Sequence, residues 1–257
     1  DCNRYLKFDK LYMRAKELDR DYVVTGHYAR VEKDGNGRFL LKKALDDTKD
    51  QSYVLYCLTQ EQLSHTIFPL GEMRKSQARE IAESQGFINA RKADSQDICF
   101  VQNGSYADFI EQYTGKNYPD GDFLDTNGNV IGRHKGVIRY TVGQRKGLGI
   151  SAPEPLYVKA VNPVSNTVTL SYNEGLYSSV VKAGDINLIS VPEIKGEMRV
   201  KAKVRYRHTE QWATVTQNGD TITAVFDEPQ RAVTCGQALV LYDGDTVVGG
   251  GTIIEVE

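Results

Sequence analysis

Apolar residues return at helical spacing at the start of the chain. Tyr5, Leu6, Phe8, Leu11, Tyr12, Ala15 and Leu18 form one stripe, which predicts an amphipathic helix over residues 3–18 with Asp1, Cys2 or Asn3 at its start. The pattern then changes. Tyr22-Val23-Val24-Thr25 is a short apolar run that reads as a buried strand ending at Gly26-His27. Residues 28–31 and 39–41 flank an Asp34-Gly35-Asn36-Gly37 turn and read as a hairpin. Further helices are expected over 60–66 and over 76–85, the latter started by Ser76 and stopped by Gly86, and again near 105–113. Helix, strand and hairpin in this order have the form of the tail of an α/β nucleotide-binding domain.

From Asp122 onward, β-rich runs alternate with turn signals at Asn127-Gly128, Asn162-Pro163, Asn218-Gly219-Asp220 and Asp243-Gly244-Asp245. That spacing predicts an all-β second half containing at least one small barrel. The expected division is an α/β portion over 1–104, a small β-rich central domain over 105–175 and a C-terminal β-barrel over 176–257.

Composition changes this picture little. With 257 residues, 40% hydrophobic and 26% charged, the chain has the make-up of an ordinary globular protein of two or three domains. No apolar run approaches the roughly 18 residues that span a bilayer, and no hydrophobic signal core opens the sequence, so a cytoplasmic location without membrane contact is expected. The first residue is Asp1 and a cysteine immediately precedes the first helix, so the chain reads as a fragment of a larger protein. A net charge of -2 offers no general attraction to nucleic acid, which leaves that role to local clusters of cations.

The four cysteines, Cys2, Cys57, Cys99 and Cys235, are far apart with no CxxC pair. This argues against a zinc site and against a secreted disulfide framework, and leaves individual thiol chemistry. Cys99 follows the polar run Asp94-Ser95-Gln96-Asp97 and enters an apolar one. It is either a nucleophile activated by cations such as Arg91 and Lys92 or a small buried hydrophobe. Cys2, at a helix start with Arg4 two residues on, has the surroundings in which thiols are activated. Residues 133–149 carry five cations, no acid and glycines at 143, 147 and 149. They suit phosphate contacts, with Gln144 supplying hydrogen bonds, or form a solvated loop. Arg199, Lys201, Lys203, Arg205 and Arg207 alternate with Val200, Ala202, Val204, Tyr206 and His208, which puts five cations on one face of a strand. That face either meets a polyanion or is simply wet. His27 stands where a strand's carboxyl end meets a loop, and Lys49-Asp50-Gln51-Ser52 could read a base or cap the next helix.

Taken together, Asp1-Cys2-Asn3-Arg4-Tyr5-Leu6-Lys7-Phe8, Thr25-Gly26-His27-Tyr28-Ala29-Arg30, Lys49-Asp50-Gln51-Ser52-Tyr53, Asp94-Ser95-Gln96-Asp97-Ile98-Cys99-Phe100 and residues 140–150 resemble the bacterial tRNA-specific 2-thiouridylase family. The resemblance runs over essentially the whole chain. It implies the tail of a PP-loop ATPase domain, of the adenine nucleotide alpha hydrolase-like kind, followed by a β-rich central domain and a β-barrel. It also implies a monomeric sulfurtransferase in which ATP, with magnesium, activates C2 of the wobble uridine and AMP and diphosphate are released. Cys99 would carry a persulfide received from a sulfur-donor protein. Cys2 would be its partner, and the pair would end as a disulfide. Gly26 would touch the nucleotide; His27, Lys49, Asp50, Gln51, Arg205, Tyr206 and Gln237 would contact tRNA.

One departure matters. The family's Ser-Gly-Gly-x-Asp-Ser phosphate loop does not occur in these 257 residues, so this chain alone is expected not to adenylate tRNA. Two further readings follow from the residues: a tRNA-binding module without catalysis, and a dithiol redox protein.

Overall fold

The computed structural model describes residues 2–91 and 105–257. Its first helix is wound in two ways: a π-helical stretch, Cys2–Lys10, continues into α1 (Leu11–Glu17), with Lys10 itself helical at φ -65°, ψ -43°. The wider π turn decides which residues face inward. Phe8 and Tyr12 are buried, whereas Tyr5, Leu6 and Leu11 of the expected stripe are exposed.

After α1 come β1 (Val23–Val24), β2 (Ala29–Lys33), β3 (Phe39–Lys43), α2 (Ser52–Leu55), α3 (Gln60–Ser64), β4 (Thr66–Ile67) and α4 (Lys75–Ser84). β1 and β4 pair in parallel, Val23 opposite Thr66 and Val24 opposite Ile67. β2 and β3 form the expected hairpin, whose turn closes on Asp34: its Oδ1 accepts from the backbone N–H of Asn36 at 2.9 Å and of Arg38 at 2.8 Å. α3 stops at Ser64, earlier than expected, because the Thr66 hydroxyl returns to the Gln62 carbonyl at 2.7 Å and the chain leaves as β4. α4 starts at Lys75 rather than at Ser76. The Lys75 N–H donates to Asp46 Oδ2 at 2.9 Å, so a carboxylate 29 residues away shares the capping with Gln77 Oε1, which accepts from the Arg74 N–H at 2.8 Å.

After α5 (Tyr106–Thr114), which Ser105 and Asp108 open with a reciprocal capping box, the regular structure is strand apart from two short 3-10 turns, Val137–Arg139 and Asn173–Leu176. β5 (Gly121–Leu124), β6 (Val130–His134), β7 (Tyr157–Asn162) and β8 (Thr167–Ser171) form a four-stranded sheet in the order β6-β5-β8-β7. Phe123, Val158, Val168 and Leu170 are its buried centre.

β9 (Tyr177–Leu188), β10 (Met198–Lys203), β11 (Gln211–Asn218), β12 (Thr221–Arg231), β13 (Ala238–Asp243) and β14 (Thr246–Val256) run in the order β13-β10-β11-β12-β9-β14. β14 pairs back onto β13, so the six strands close into a barrel with no free edge among them. Alternate residues fill it: Val200 and Ala202 of β10 and Ala213 and Val215 of β11 are buried. Lys42 of β3 pairs with Thr246, which adds the hairpin to the outside of β14.

By contacts, residues 1–92, 179–228 and 235–257 make one compact unit, and residues 93–178 and 229–234 another. Within the first, the N-terminal segment and the barrel share a core in which Phe8, Leu41 and Leu58 meet Ile189, Val240 and Val247. At Gly250, an added Cβ would stand 2.4 Å from the Leu239 carbonyl and 2.8 Å from the Tyr56 ring, so glycine is what lets that segment lie against β14. Among the described residues, no helix is long and apolar enough to cross a membrane.

Candidate functional site

The shared core creates a cavity of about 450 Å³ lined by Cys2, Arg4, Tyr53, Tyr56, Cys57, Asp185 and Gln237, among others. Two sequence-selected residues meet here, Cys2 from the helix start and Gln237 from the lead into β13. Cys2 is exposed with a free thiol. Cys57, flanked by Tyr56 and Leu58 with no local sign of a role, borders the same space, and burial raises its thiol pKa above the ordinary value. Cys2, Cys57 and Cys235 are all free thiols, so the disulfide implied for Cys2 is not formed in this structure. Cys99 and the run 94–99 lie outside the described residues.

Tyr53 organises one wall. Its hydroxyl donates to the Ala238 carbonyl at 2.8 Å, next to Gln237, and its ring centre lies 6.0 Å from that of Tyr206. Tyr206 in turn donates to the Asp50 carbonyl at 3.3 Å. Lys203 Nζ stands 5.9 Å from the centre of the Tyr53 ring, and burial lowers its pKa. Burial, opposed by the hydrogen bond to Ala238, keeps the Tyr53 phenol protonated far above the ordinary range.

Thus Asp50, Tyr206 and Gln237, far apart in sequence, converge around a tyrosine, with Arg205 next to Tyr206 in the chain. Lys49 ends a short 3-10 turn, Asp47–Lys49, immediately before Asp50. Within the Lys49–Ser52 run, the side chains of Asp50 and Gln51 are bonded to neighbouring backbone. Asp50 accepts from the Ala44 N–H at 3.0 Å, the Ser52 N–H at 3.2 Å and the Ser52 hydroxyl at 2.7 Å. Gln51 exchanges two bonds with Tyr28: its Oε1 accepts from the Tyr28 N–H at 2.9 Å, and its own N–H donates to the Tyr28 carbonyl at 2.8 Å.

Gly26 is exposed at the carboxyl end of β1. A Cβ there would meet only Leu70 Cδ1, at an ordinary 3.7 Å. Packing does not demand glycine at this position. His27 is buried between Phe8 and Phe68. Its Nδ1 lies 2.8 Å from Thr25 Oγ1, and its Nε2 3.3 Å from both Lys7 Nζ and Asn3 Oδ1. Burial, helped by the Lys7 charge, lowers its pKa from about 6.5 to about 4, so at neutral pH the ring is uncharged and bonded to protein.

The two basic surfaces are more compensated than their sequences suggest. The strand carrying the alternating cations ends at Lys203, and residues 204–208 turn, with the His208 N–H donating to the Arg205 carbonyl at 3.1 Å. Arg199 forms an ion pair with Asp227, and Arg199 and Lys201 lie 5.2 and 5.6 Å from the exposed Trp212 ring centre. In the other surface, Arg133 pairs with Asp122, Lys135 with Asp120, and Arg139 with Asp108 and Glu111. Gln144 spends its side chain on its own turn, accepting from the Thr141 N–H at 3.0 Å and donating to the Lys146 carbonyl at 3.0 Å. These acids sit outside the basic runs, where a local reading could not see them.

Comparison with known proteins gives three successive family matches. A tRNA methyl transferase HUP domain model matches residues 1–103, a tRNA methyl transferase PRC-barrel domain model matches 107–172, and an aminomethyltransferase beta-barrel domain model matches 178–253. The expected order of a nucleotide-binding α/β portion, a β-rich central domain and a C-terminal barrel is thereby met. Among curated relatives, the tRNA-specific 2-thiouridylase MnmA of Clostridioides difficile (strain 630) is 50% identical over 254 residues, covering 98% of this chain and 70% of the relative. That of Lachnoclostridium phytofermentans is 49% identical over 255 residues, covering 99% and 71%. That of Acetivibrio thermocellus is 48% identical over 254 residues, covering 98% and 71%.

Proposed function

The chain belongs to the tRNA-specific 2-thiouridylase family, and on that basis we propose that it acts in thiolation of the wobble uridine of tRNA, with Cys2 as the thiol that completes sulfur transfer. The carrying observation is that the free, exposed Cys2 thiol borders the same cavity as Gln237 and Tyr53, beside Tyr206 and Arg205, the residues proposed to meet RNA. ATP supplies the activation of the base's C2 oxygen, and Gly26, exposed just beyond the carboxyl end of β1, lies against the nucleotide.

Cys99 receives sulfur from a donor protein as a persulfide. The Cys2 thiolate attacks the inner sulfur of Cys99, a new S–S bond joins the two cysteines, and the outer sulfur leaves as hydrosulfide with its electron pair. An external dithiol then reduces the disulfide. Asp50 and Gln51 serve the RNA site by bracing the segment that carries Tyr53, and Lys49 lies beside them. His27, neutral and enclosed, serves it through Asn3, the neighbour of Cys2.

The chain can be tested as it stands. Treated with inorganic polysulfide, it is expected to carry extra sulfur at Cys99, to release sulfide and to accumulate a Cys2–Cys99 disulfide identified by peptide mass spectrometry. Cys2→Ser should retain the persulfide and release none. Equal sulfide release from Cys2→Ser would overturn the assignment. Because the Ser-Gly-Gly-x-Asp-Ser loop is absent from these residues, the chain alone is expected to bind tRNA with steep salt dependence and to form no AMP.

A further inference from the structure

We infer that Asp185 is a positioning residue for Cys2, acting through Arg4 to hold the start of the cysteine helix on the rim of the barrel. This rests on the proposed role of Cys2 and adds to it the means by which the thiol is placed.

The cysteine helix needs an external tie. Cys2–Lys10 is wound as a π-helix, a form rare beyond a single turn, and its first exposed residues gain little from packing: Tyr5 and Leu6 are 53% and 63% exposed, and the first buried residue is Phe8. Two side chains supply the tie. Asn3 Nδ2 donates to the Val54 carbonyl at 3.3 Å, and Arg4 grips Asp185 with both ends of its guanidinium, the Nη2 to Oδ1 bond being 3.0 Å and Nη1 bonding Oδ2. A bidentate pair fixes direction as well as distance, which a single contact does not.

The barrel, for its part, is distorted where Asp185 stands. Opposite β14, β9 steps from Asn187 paired with Gly250 to Gly184 paired with Thr252, so it carries one extra residue there. Such a bulge re-aims side chains. Asp185 itself has φ +48°, in the left-handed region, a strained conformation that residues with a side chain seldom adopt. The ion pair does not offset this through stability. Its side chains are 36% and 54% exposed, and ion pairs so exposed contribute little to stability. A strained residue on a bulge, spending its carboxylate on a pair of so little stabilising value, is accounted for by where it puts Arg4, and with it Cys2. The same strand anchors the opposite wall: Asn187 donates to the carbonyls of Tyr56 at 2.7 Å and Leu58 at 2.9 Å, on either side of Cys57.

The test uses Asp185→Gly, Arg4→Gln and the double variant. Glycine removes the carboxylate and also the backbone strain, so folding is not at risk; Arg4→Gln keeps the backbone untouched. Two readouts are taken on polysulfide-loaded chain: hydrogen exchange of residues 2–10 and the single-turnover rate of sulfide release, alongside the thermal midpoint. The expected result is faster exchange over residues 2–10 with an unchanged midpoint. Sulfide release should slow on the order of tenfold or more, as loss of alignment does, and the double variant should be no slower than either single one, which marks the two residues as one device. Unchanged exchange at residues 2–10 in Asp185→Gly overturns the inference, and so does faster exchange with an unaltered release rate. If the unsubstituted chain releases no sulfide, the reading of Cys2 fails, and the exchange data alone decide whether Asp185 holds the helix.

Discussion

The Tyr53 hydroxyl donates to the Ala238 carbonyl at 2.8 Å, so one buried ring fastens α2 of the N-terminal segment to the first residue of β13, one position beyond Gln237. The cavity that holds Cys2 has this contact in its wall.

Replacing Tyr53 by phenylalanine keeps the ring and deletes the hydroxyl. Loss of one hydrogen bond from a largely enclosed site is expected to lower unfolding free energy by about 1 kcal/mol, measured by urea denaturation. Alanine, which removes the ring from the shared core, is expected to cost about 3–5 kcal/mol.

His27 gives the fold a pH dependence of defined sign. Its folded pKa, about 4, lies below the ordinary value near 6.5, because burial and then the Lys7 charge disfavour the imidazolium. The unfolded chain therefore binds the proton first. The contribution is fully present above about pH 6.5 and is lost as pH falls through about 4, with a span on the order of 3 kcal/mol. The difference in unfolding free energy between the parent chain and His27→Gln should change over this window, and a difference independent of pH would contradict the placement of the ring.

Thiol reactivity should separate the cysteines. Cys57 is enclosed and its pKa is raised by burial, whereas Cys2 and Cys235 are exposed. At mildly alkaline pH, iodoacetamide is expected to label Cys57 after Cys2 and Cys235, with a rate that continues to climb with pH, as read by peptide mass spectrometry.

Binding of tRNA should distinguish Arg205, proposed to meet RNA, from Arg199. Arg205→Ala is expected to weaken affinity and to reduce the slope of log affinity against log salt by about one. Arg199→Ala removes a charge already committed to Asp227 and is expected to change that slope less.

Much of this architecture is legible in the sequence, for local reasons. The periodicity through Phe8 and Tyr12 marks the first helix, and the regular turn signals after Asp122 mark the strands, because both patterns are written in neighbouring residues. Long-range matches are not. Nothing near Arg4 announces Asp185, which is 181 positions away, and nothing near α4 announces that Asp46 shares in capping it. The basic strand overruns for a similar reason: the alternation of residue types persists to His208, while the turn that begins at Val204 carries no glycine or proline to betray it. Convergence of Cys2, Gln237, Asp50 and Tyr206 likewise depends on the core shared by the N-terminal segment and the barrel, which no single stretch encodes.

The most direct measurement is the 2-thiouridine content at the wobble position of tRNA from bacteria that lack their own thiouridylase and express the full-length protein. With the native residue at Cys2, the modified nucleoside should be restored; with Cys2→Ser at equal protein level, it should be absent. Normal thiolation by Cys2→Ser would show that the thiol at the helix start does not perform the transfer.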